Sequence, residues 1–312
     1  MGEVLIVVLN WNGQEYIEDC LESIINNTKH RPFEICVVDN GSDDRSVNKV
    51  RNNFGDVEVI ENSRNLGFAI GNNKGIYRNR EHSYFALLNS DTRVKKRWLK
   101  EMVDVLEQKE KAGVCGSKIL NDDGTIQSAG VDTEKLESLT KDRIRDDKRY
   151  KKVGGVLGAS FVMSADLVKQ IGYLDEVYSP MQHEESDYCC RAREAGYSIY
   201  LSYESEVVHY GGRAKENVKS SFERFCELKN TLKYRIMNDT FRSVLSVLCV
   251  HTKFVLLSIL EEEKEYPTKV YFWALAEVFV DLPDLIAKKY NRDGFVPSYY
   301  CEDKYDYSQR YT

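Results

Sequence analysis

Tyr84-Phe85-Ala86-Leu87-Leu88-Asn89-Ser90-Asp91 is an apolar run that stops abruptly at three polar residues. Its first five positions read as a strand buried on both faces, which puts Asp91 at the C-terminal end, the edge where open α/β sheets bind ligands. The same pattern recurs along the chain. Val4 to Leu9 ends in Asn10-Trp11-Asn12-Gly13, Glu34 to Val38 in Asp39-Asn40-Gly41-Ser42-Asp43-Asp44, and Val57 to Ile60 in the loop Asn62 to Gly67. Gly113 to Lys118 is a further strand. Between them, Tyr16, Ile17, Cys20, Leu21, Ile24 and Ile25 keep helical spacing, as do Trp98, Leu99, Met102, Val103 and Leu106. Strands alternating with helices predict an α/β fold on a mixed, mostly parallel sheet, with four polar loops along one edge.

A chain of 312 residues with 42% hydrophobic content buries a large core, which excludes a disordered protein. The net charge of −6 supplies no overall positive field, so nucleic acid is excluded as a partner and any phosphate-bearing ligand must be held by local groups. Eight cysteines include no C-x-x-C pair, and Cys36 and Cys249 sit in apolar runs, as reduced cytosolic thiols do. The first strand begins without a basic leader, and no stretch reaches the roughly 18 apolar residues of a membrane span. A cytoplasmic protein is expected, soluble or peripheral on the inner face of the membrane.

From Asp132 to Lys152 the composition turns strongly charged and predicts a solvated excursion. Gly154 to Met163 restores the core, and Ser186 to Ala195 reads as a short helix ending at Gly196. Beyond about Ala214 strand signals stop, and helical periodicity takes over in Phe222, Phe225, Leu228 and Leu232, then Val244 to Leu260, then Val270 to Ile286. The expected division is an α/β domain over 1–215 and a helical extension over 216–312. Val270 to Ala276 and Val278-Phe279-Val280, with Lys288 and Lys289 beyond, read in two ways. They form a surface for anionic headgroups, or they pack on the first domain or in a homodimer contact.

Several residues carry chemistry. Asp39 can accept hydrogen bonds from a base N–H or a ribose hydroxyl, or it closes an Asx-turn or caps the segment after Asp43. Asn65 to Gly75 places small residues where a phosphate or ribose can approach a helix N-terminus, although no Walker pattern is present. Asp91 suits a divalent cation that offsets charge on a departing diphosphate, or it caps a helix beginning near Val94. His209, in Glu206-Val207-Val208-His209-Tyr210-Gly211-Gly212, is a second metal ligand or a hydrogen-bonded structural residue. Glu184-Glu185-Ser186-Asp187 packs three carboxylates into four residues, whose repulsion raises a pKa as a general base requires. The same cluster also suits the first turn of a helix.

These motifs together resemble the inverting, nucleotide-sugar-dependent glycosyltransferases of family 2, in particular the rhamnosyltransferase-like branch. Val8 to Gly13 is similar to the family's opening, Val37 to Ser42 to its nucleotide-binding strand end, and Asn65-Leu66-Gly67-Phe68 with Gly71 to Gly75 to its donor loop. Leu87 to Asp91 stands at its D-x-D-like motif with Asn89 in the first acidic position, leaving Asp91 as the one carboxylate ligand. Gly158 to Met163 and Ile171 to Glu176 resemble the acceptor-side strand and turn. Glu184 to Arg191 matches E-D-x-D-x-x-x-R with Glu185 in place of the usual aspartate, and Val208 to Gly212 resembles the segment whose histidine completes the metal site, with Ala214 where serine is usual. Glu227-Leu228-Lys229-Asn230 is similar to the Arg/Lys-Asn pair of the helical extension.

The resemblance implies a GT-A fold and transfer of a sugar from a UDP-, dTDP- or GDP-sugar to a glycan or lipid-linked acceptor, with inversion. It assigns the donor to Asn10, Asn12, Asp39, Asn65, Gly67, Asn72, Asn89, Ser90 and Asp91. The acceptor side falls to Gly158, Ala159, Glu184, Asp187 and Arg191, the base to Glu185, and Mn2+ or Mg2+ to Asp91 and His209. Two rivals share such a crevice. A sugar nucleotidyltransferase would carry a G-x-G-T-R loop after the first strand, where Asn10-Trp11-Asn12-Gly13 stands instead, and an inactive nucleotide-sugar-binding protein would lack metal or base.

Overall fold

Val4–Asn10 and Tyr84–Asn89 lie side by side and parallel in the computed structural model, with Val4 opposite Tyr84 and Leu9 opposite Asn89. The structure describes residues 3–28, 32–140, 149–211, 220–240, 249 and 268–290. The middle of the charged excursion (141–148), Gly212, Ala214, the 215/216 division and all but Cys249 of the period from Val244 to Leu260 lie outside the described residues.

In chain order the strands are β1 (Val4–Asn10), β2 (Phe33–Asp39), β3 (Glu58–Glu61), β4 (Tyr84–Asn89), β5 (Thr92–Val94), β6 (Ala112–Leu120), β7 (Ile126–Ser128), β8 (Val131–Asp132), β9 (Glu137–Ser138), β10 (Tyr150–Lys152), β11 (Ser160–Ser164) and β12 (Ser198–His209). The helices are α1 (Ile17–Asn27), α2 (Ser46–Asn53), α3 (Phe68–Arg78), α4 (Trp98–Gln108), α5 (Ala165–Ile171), α6 (Glu184–Glu194), α7 (Ser220–Asn238) and α8 (Thr268–Tyr290). The main sheet runs β10-β12-β6-β11-β4-β1-β2-β3, with β5 paired to β12 and β7 to β6. β1 to β4 are parallel, β12 is parallel to β6, and β11 runs antiparallel to both β4 and β6. Six of the eight strands on the main path therefore point one way. Chain order reverses between β1 and β4, and such a switch point leaves a crevice beyond the strand ends.

The central strands are continuously apolar because both faces are covered. Val4, Ile6 and Val8 of β1 join Ile17, Cys20, Leu21 and Ile24 of α1 and Trp98, Met102 and Val103 of α4 on one face. Leu5 and Val7 join Ala69 and Ile76 of α3, Leu167 and Ile171 of α5, and Tyr188, Cys189 and Ala192 of α6 on the other. Trp98 is fully buried and donates its indole N–H to Thr28 Oγ1 at 2.8 Å, which satisfies the one polar atom it takes out of water.

α7 packs on α8 through Phe225, Cys226 and Leu228 against Ala274, and through Leu232, Ile236 and Met237 with Val278 and Leu285. The second cluster includes Val177 and Tyr178, so these helices also cover the segment that leads into α6. The outer face of α8 leaves Phe272, Trp273, Phe279 and Val280 exposed. Among the described residues, no helix is long and apolar enough to cross a membrane.

Candidate active site

The crevice edge is assembled from the polar ends of β1, β2 and β4, which sequence placed far apart and the sheet sets in register. Asn10 stands opposite Asp39 and is itself buried. Its Nδ2 donates to Asp39 Oδ1 at 2.8 Å and to Ser46 Oγ at 2.9 Å. Asp39 Oδ2 accepts from Ser42 N at 2.9 Å and Oδ1 from Ser42 Oγ at 2.6 Å, so the carboxylate does close an Asx-turn. Asn12 ties its own loop to the same turn, donating from its backbone N to Ser42 Oγ (2.8 Å) and accepting from Asp43 N (3.0 Å).

Sequence reading overlooked Asn40, the hub of the neighbouring loop. Its Nδ2 donates to Gly67 O at 3.0 Å and Asn65 Oδ1 at 3.2 Å, while its Oδ1 accepts from Asn62 Nδ2 at 2.8 Å. Asn65 Oδ1 also accepts from Gly67 N at 2.9 Å. Gly67 has φ of 86°, and a Cβ there would lie 2.5 Å from Pro180 O, so only glycine fits the turn that opens α3. Asn72 is fully buried; its Nδ2 donates to Phe68 O at 2.9 Å, one helical turn back, and its Oδ1 has no hydrogen-bond partner among the described residues.

At the end of β4, Ser90 N donates to Leu9 O at 3.1 Å, and Asn89 N donates to Ala159 O at 3.1 Å. Asp91 does not cap a helix. β5 follows it at once, α4 begins only at Trp98, and β5 pairs with β12 so that Thr92 faces His209. That pairing brings His209 Nε2 to 3.3 Å from Asp91 Oδ1. On its other side His209 Nδ1 lies 2.8 Å from Gln127 Oε1, an acceptor. A hydrogen on Nδ1, donated to Gln127, would leave the Nε2 lone pair toward Asp91, the form of the ring that ligates a cation. A carboxylate plus an imidazole oriented by an amide is a donor set that fits Mn2+ or Mg2+, with imidazole favouring the softer Mn2+. Among the described residues no group of three or more His, Cys, Asp or Glu side chains is gathered to hold a metal. Asp91 and His209 are the two side chains here that could take part in holding one.

Glu184 and Glu185 open α6 with Asp187, at the positive end of the helix. A Cβ on Gly158 would lie 3.5 Å from Glu185 Cδ and 3.2 Å from Phe68 Cζ, which places that carboxylate against Gly158 and beside the first residue of α3. Gly158 adjoins Ala159, whose carbonyl is bound by Asn89. Glu185, Gly158 and Ala159 are thus linked through the Asn89–Ala159 hydrogen bond to the strand end that carries Ser90 and Asp91. Burial pushes the Glu185 carboxyl from 4.5 up to about 7, against the pull of backbone N–H bonds from Glu185 itself and from Gly158. Glu184 is more deeply enclosed and is raised well above the ordinary carboxylate range, by burial first and then by Glu185.

Asp187 and Arg191, expected on the acceptor side, are instead enclosed. Asp187 is fully buried, pairs with Arg191 Nε at 2.7 Å and accepts from Tyr178 OH and Asn238 Nδ2 at 3.1 Å each. The Arg191 guanidinium donates to Ile171 O at 2.9 Å and Tyr173 O at 2.8 Å. Helix geometry explains the split, because residues two apart point roughly 200° away from each other. With Glu185 against Gly158, Asp187 faces the interior.

The family model described as Glycosyl transferase family 2 matches residues 5–172. An uncharacterized glycosyltransferase of Haemophilus influenzae is 30% identical over 117 residues, 36% of this chain and 36% of that protein. The chain spans between 28% and 55% of the length of the curated relatives it matches. Among solved structures, GalNAc-T7 with UDP, GalNAc and Mn2+ is similar with a TM-score of 0.60 at 15% identity, over 76% of this chain and 48% of that one. The mannosyltransferase PcManGT of Pyrobaculum calidifontis, in complex with GDP-Man and Mn2+, gives 0.55 at 14% identity, over 93% and 74%. These likenesses show the GT-A fold.

Proposed function

The chain belongs to glycosyl transferase family 2, and on that basis we propose that it transfers a sugar from a UDP-, dTDP- or GDP-sugar to a hydroxyl of a glycan or lipid-linked acceptor, inverting the anomeric centre. The observation that carries this reading is the pairing of Asp91 with His209 at the switch point, with Glu185 joined to it along Gly158, Ala159 and Asn89. Asp91 and His209 would hold a divalent cation, which when bound offsets the negative charge developing on the leaving diphosphate. Asp39 keeps acceptor capacity on Oδ2 for the nucleoside, and Asn65 with Gly67 shapes the adjoining wall. Asn10, Asn12, Asn89 and Ser90 fix the strand ends that bear these groups.

Glu185 takes the proton of the acceptor hydroxyl as its oxygen bonds to the anomeric carbon and the bond to the diphosphate oxygen breaks. A carboxyl near 7 is half-ionised at neutral pH, which matches that task. The order of motifs supports the rhamnosyltransferase-like branch, and the division into a catalytic unit over 1–215 and an extension over 216–312 belongs to the same proposal. Exposed Phe272, Trp273, Phe279 and Val280 support a contact surface on α8, for a membrane or a second copy. Co-sedimentation with anionic liposomes and sedimentation velocity separate those two occupants. The decisive experiment incubates the protein with UDP-, dTDP- and GDP-sugars, with and without Mn2+, and follows nucleoside diphosphate release. Metal-dependent release from one of them is expected; release of pyrophosphate from a sugar phosphate and NTP would replace the reading with nucleotidyl transfer.

A further inference from the structure

We infer that the face of α7 bearing Lys229, Asn230 and Lys233 is a positioning element for the base on α6, so that the C-terminal helices complete the active site. This rests on Glu185 as base. The three side chains are buried and share one face of the helix. Lys233 Nζ donates to Val177 O at 3.1 Å, Lys229 Nζ to Ser179 O at 2.9 Å, and Asn230 Nδ2 to Met181 O at 2.7 Å and to Tyr178 O. Thr231 Oγ1 meets His183 Nε2 at 2.9 Å. Four backbone carbonyls and one ring in the segment 177–183 are thus held from a single helix, and Glu184 and Glu185 follow directly.

That segment needs holding. Gln182 and His183 have φ of 87° and 76°, left-handed values that persist in non-glycine residues only where the surroundings over-determine them. On its far side, Pro180 O accepts from Phe68 N at 2.8 Å and presses on Gly67. A grip on 177–181 therefore sets both the donor loop and the start of α6. The two buried ammonium groups are balanced from α8, Lys233 by Asp281 at 2.7 Å and Lys229 by Glu277 at 3.8 Å, which ties α8 into the same device.

The test uses the full chain with three variants: Asn230→Ala, and the paired changes Lys229→Met with Glu277→Gln and Lys233→Met with Asp281→Asn, each of which removes a buried ammonium together with its α8 carboxylate. On the nucleotide sugar that the wild type turns over, kcat should fall on the order of 10²-fold while the donor KM changes little, as expected for a small misplacement of a catalytic group. Binding of UDP, GDP or dTDP with Mn2+, measured by calorimetry, should persist. Folded variants with wild-type kcat would overturn the inference if Glu185→Gln collapses turnover. If Glu185→Gln itself keeps wild-type kcat, the base assignment has failed, whatever α7 does. Should all three variants fail to fold, Thr231→Val, which removes the contact to His183 at nearly constant shape, replaces them: wild-type kcat would sink the idea, and a fall in kcat with the donor KM kept supports it.

Discussion

Glu185→Gln should do two opposite things at once, slow the enzyme and stabilise the protein. Glutamine keeps the shape of the side chain and its contact with Gly158 but cannot take a proton, so the loss in kcat should be the ~10²–10⁴-fold typical of a general base. The stability gain follows from the carboxyl's rise from 4.5 to about 7, which burial causes. At about 1.4 kcal/mol per pH unit, ionising Glu185 in the folded protein costs roughly 3 kcal/mol more than in the unfolded chain, an upper bound given its contact with Glu184. The sign follows from proton counting. Between pH 4.5 and 7 the folded state binds the proton that the unfolded state has released, so wild-type stability falls as pH rises through that window and the full cost is present above 7. The amide of the variant carries no such cost. Urea unfolding of both proteins at pH 5 and pH 8 should therefore show little difference at the lower pH and a more stable variant at the higher. A variant that is no more stable at pH 8, or one that keeps wild-type kcat with its donor, would refute the reasoning. Wild-type kcat should also fall below about pH 7 as the base protonates.

Asp91→Ala should abolish metal-stimulated donor turnover, checked by Mn2+ titration, and unchanged stimulation would remove Asp91 from the metal site. Gln127→Ala, which frees the far nitrogen of His209, should weaken apparent Mn2+ affinity about 10–100-fold in the same titration. Gly67→Ala should cost ~1–3 kcal/mol in urea unfolding, because its φ of 86° and the 2.5 Å approach to Pro180 O both oppose a Cβ. Asp187→Asn leaves Arg191 buried without its counter-charge and should cost about 3–5 kcal/mol in denaturant melts, with the donor KM of the folded protein little changed.

The alternation of apolar strands with helical periods predicted the sheet well, since a strand buried on both faces writes its position locally as an unbroken apolar run. Val4 to Leu9, Glu34 to Val38 and Tyr84 to Leu88 lie within β1, β2 and β4. Short strands escaped the reading. β5 has three residues and β7 to β10 no more, too few for a period; β5, β7 and β10 hold by pairing with the longer β12 and β6, and β8 pairs with β9. Gln127 carried no sequence signal for the same reason, because its role exists only once β7 is laid on β6.

Which residues are polar strand ends, and in what order they come, is fixed by the sequence alone, because strand propensity and turn chemistry act over a few residues. Which of them meet is a property of the folded sheet. Pairing of β5 with β12 made a facing pair of Asp91 and His209, and the 3.6-residue turn of α6 sent Glu185 toward Gly158 and Asp187 with Arg191 to the interior. Helical rotation and long-range strand register decide such outcomes, and neither is visible to a motif read as a string.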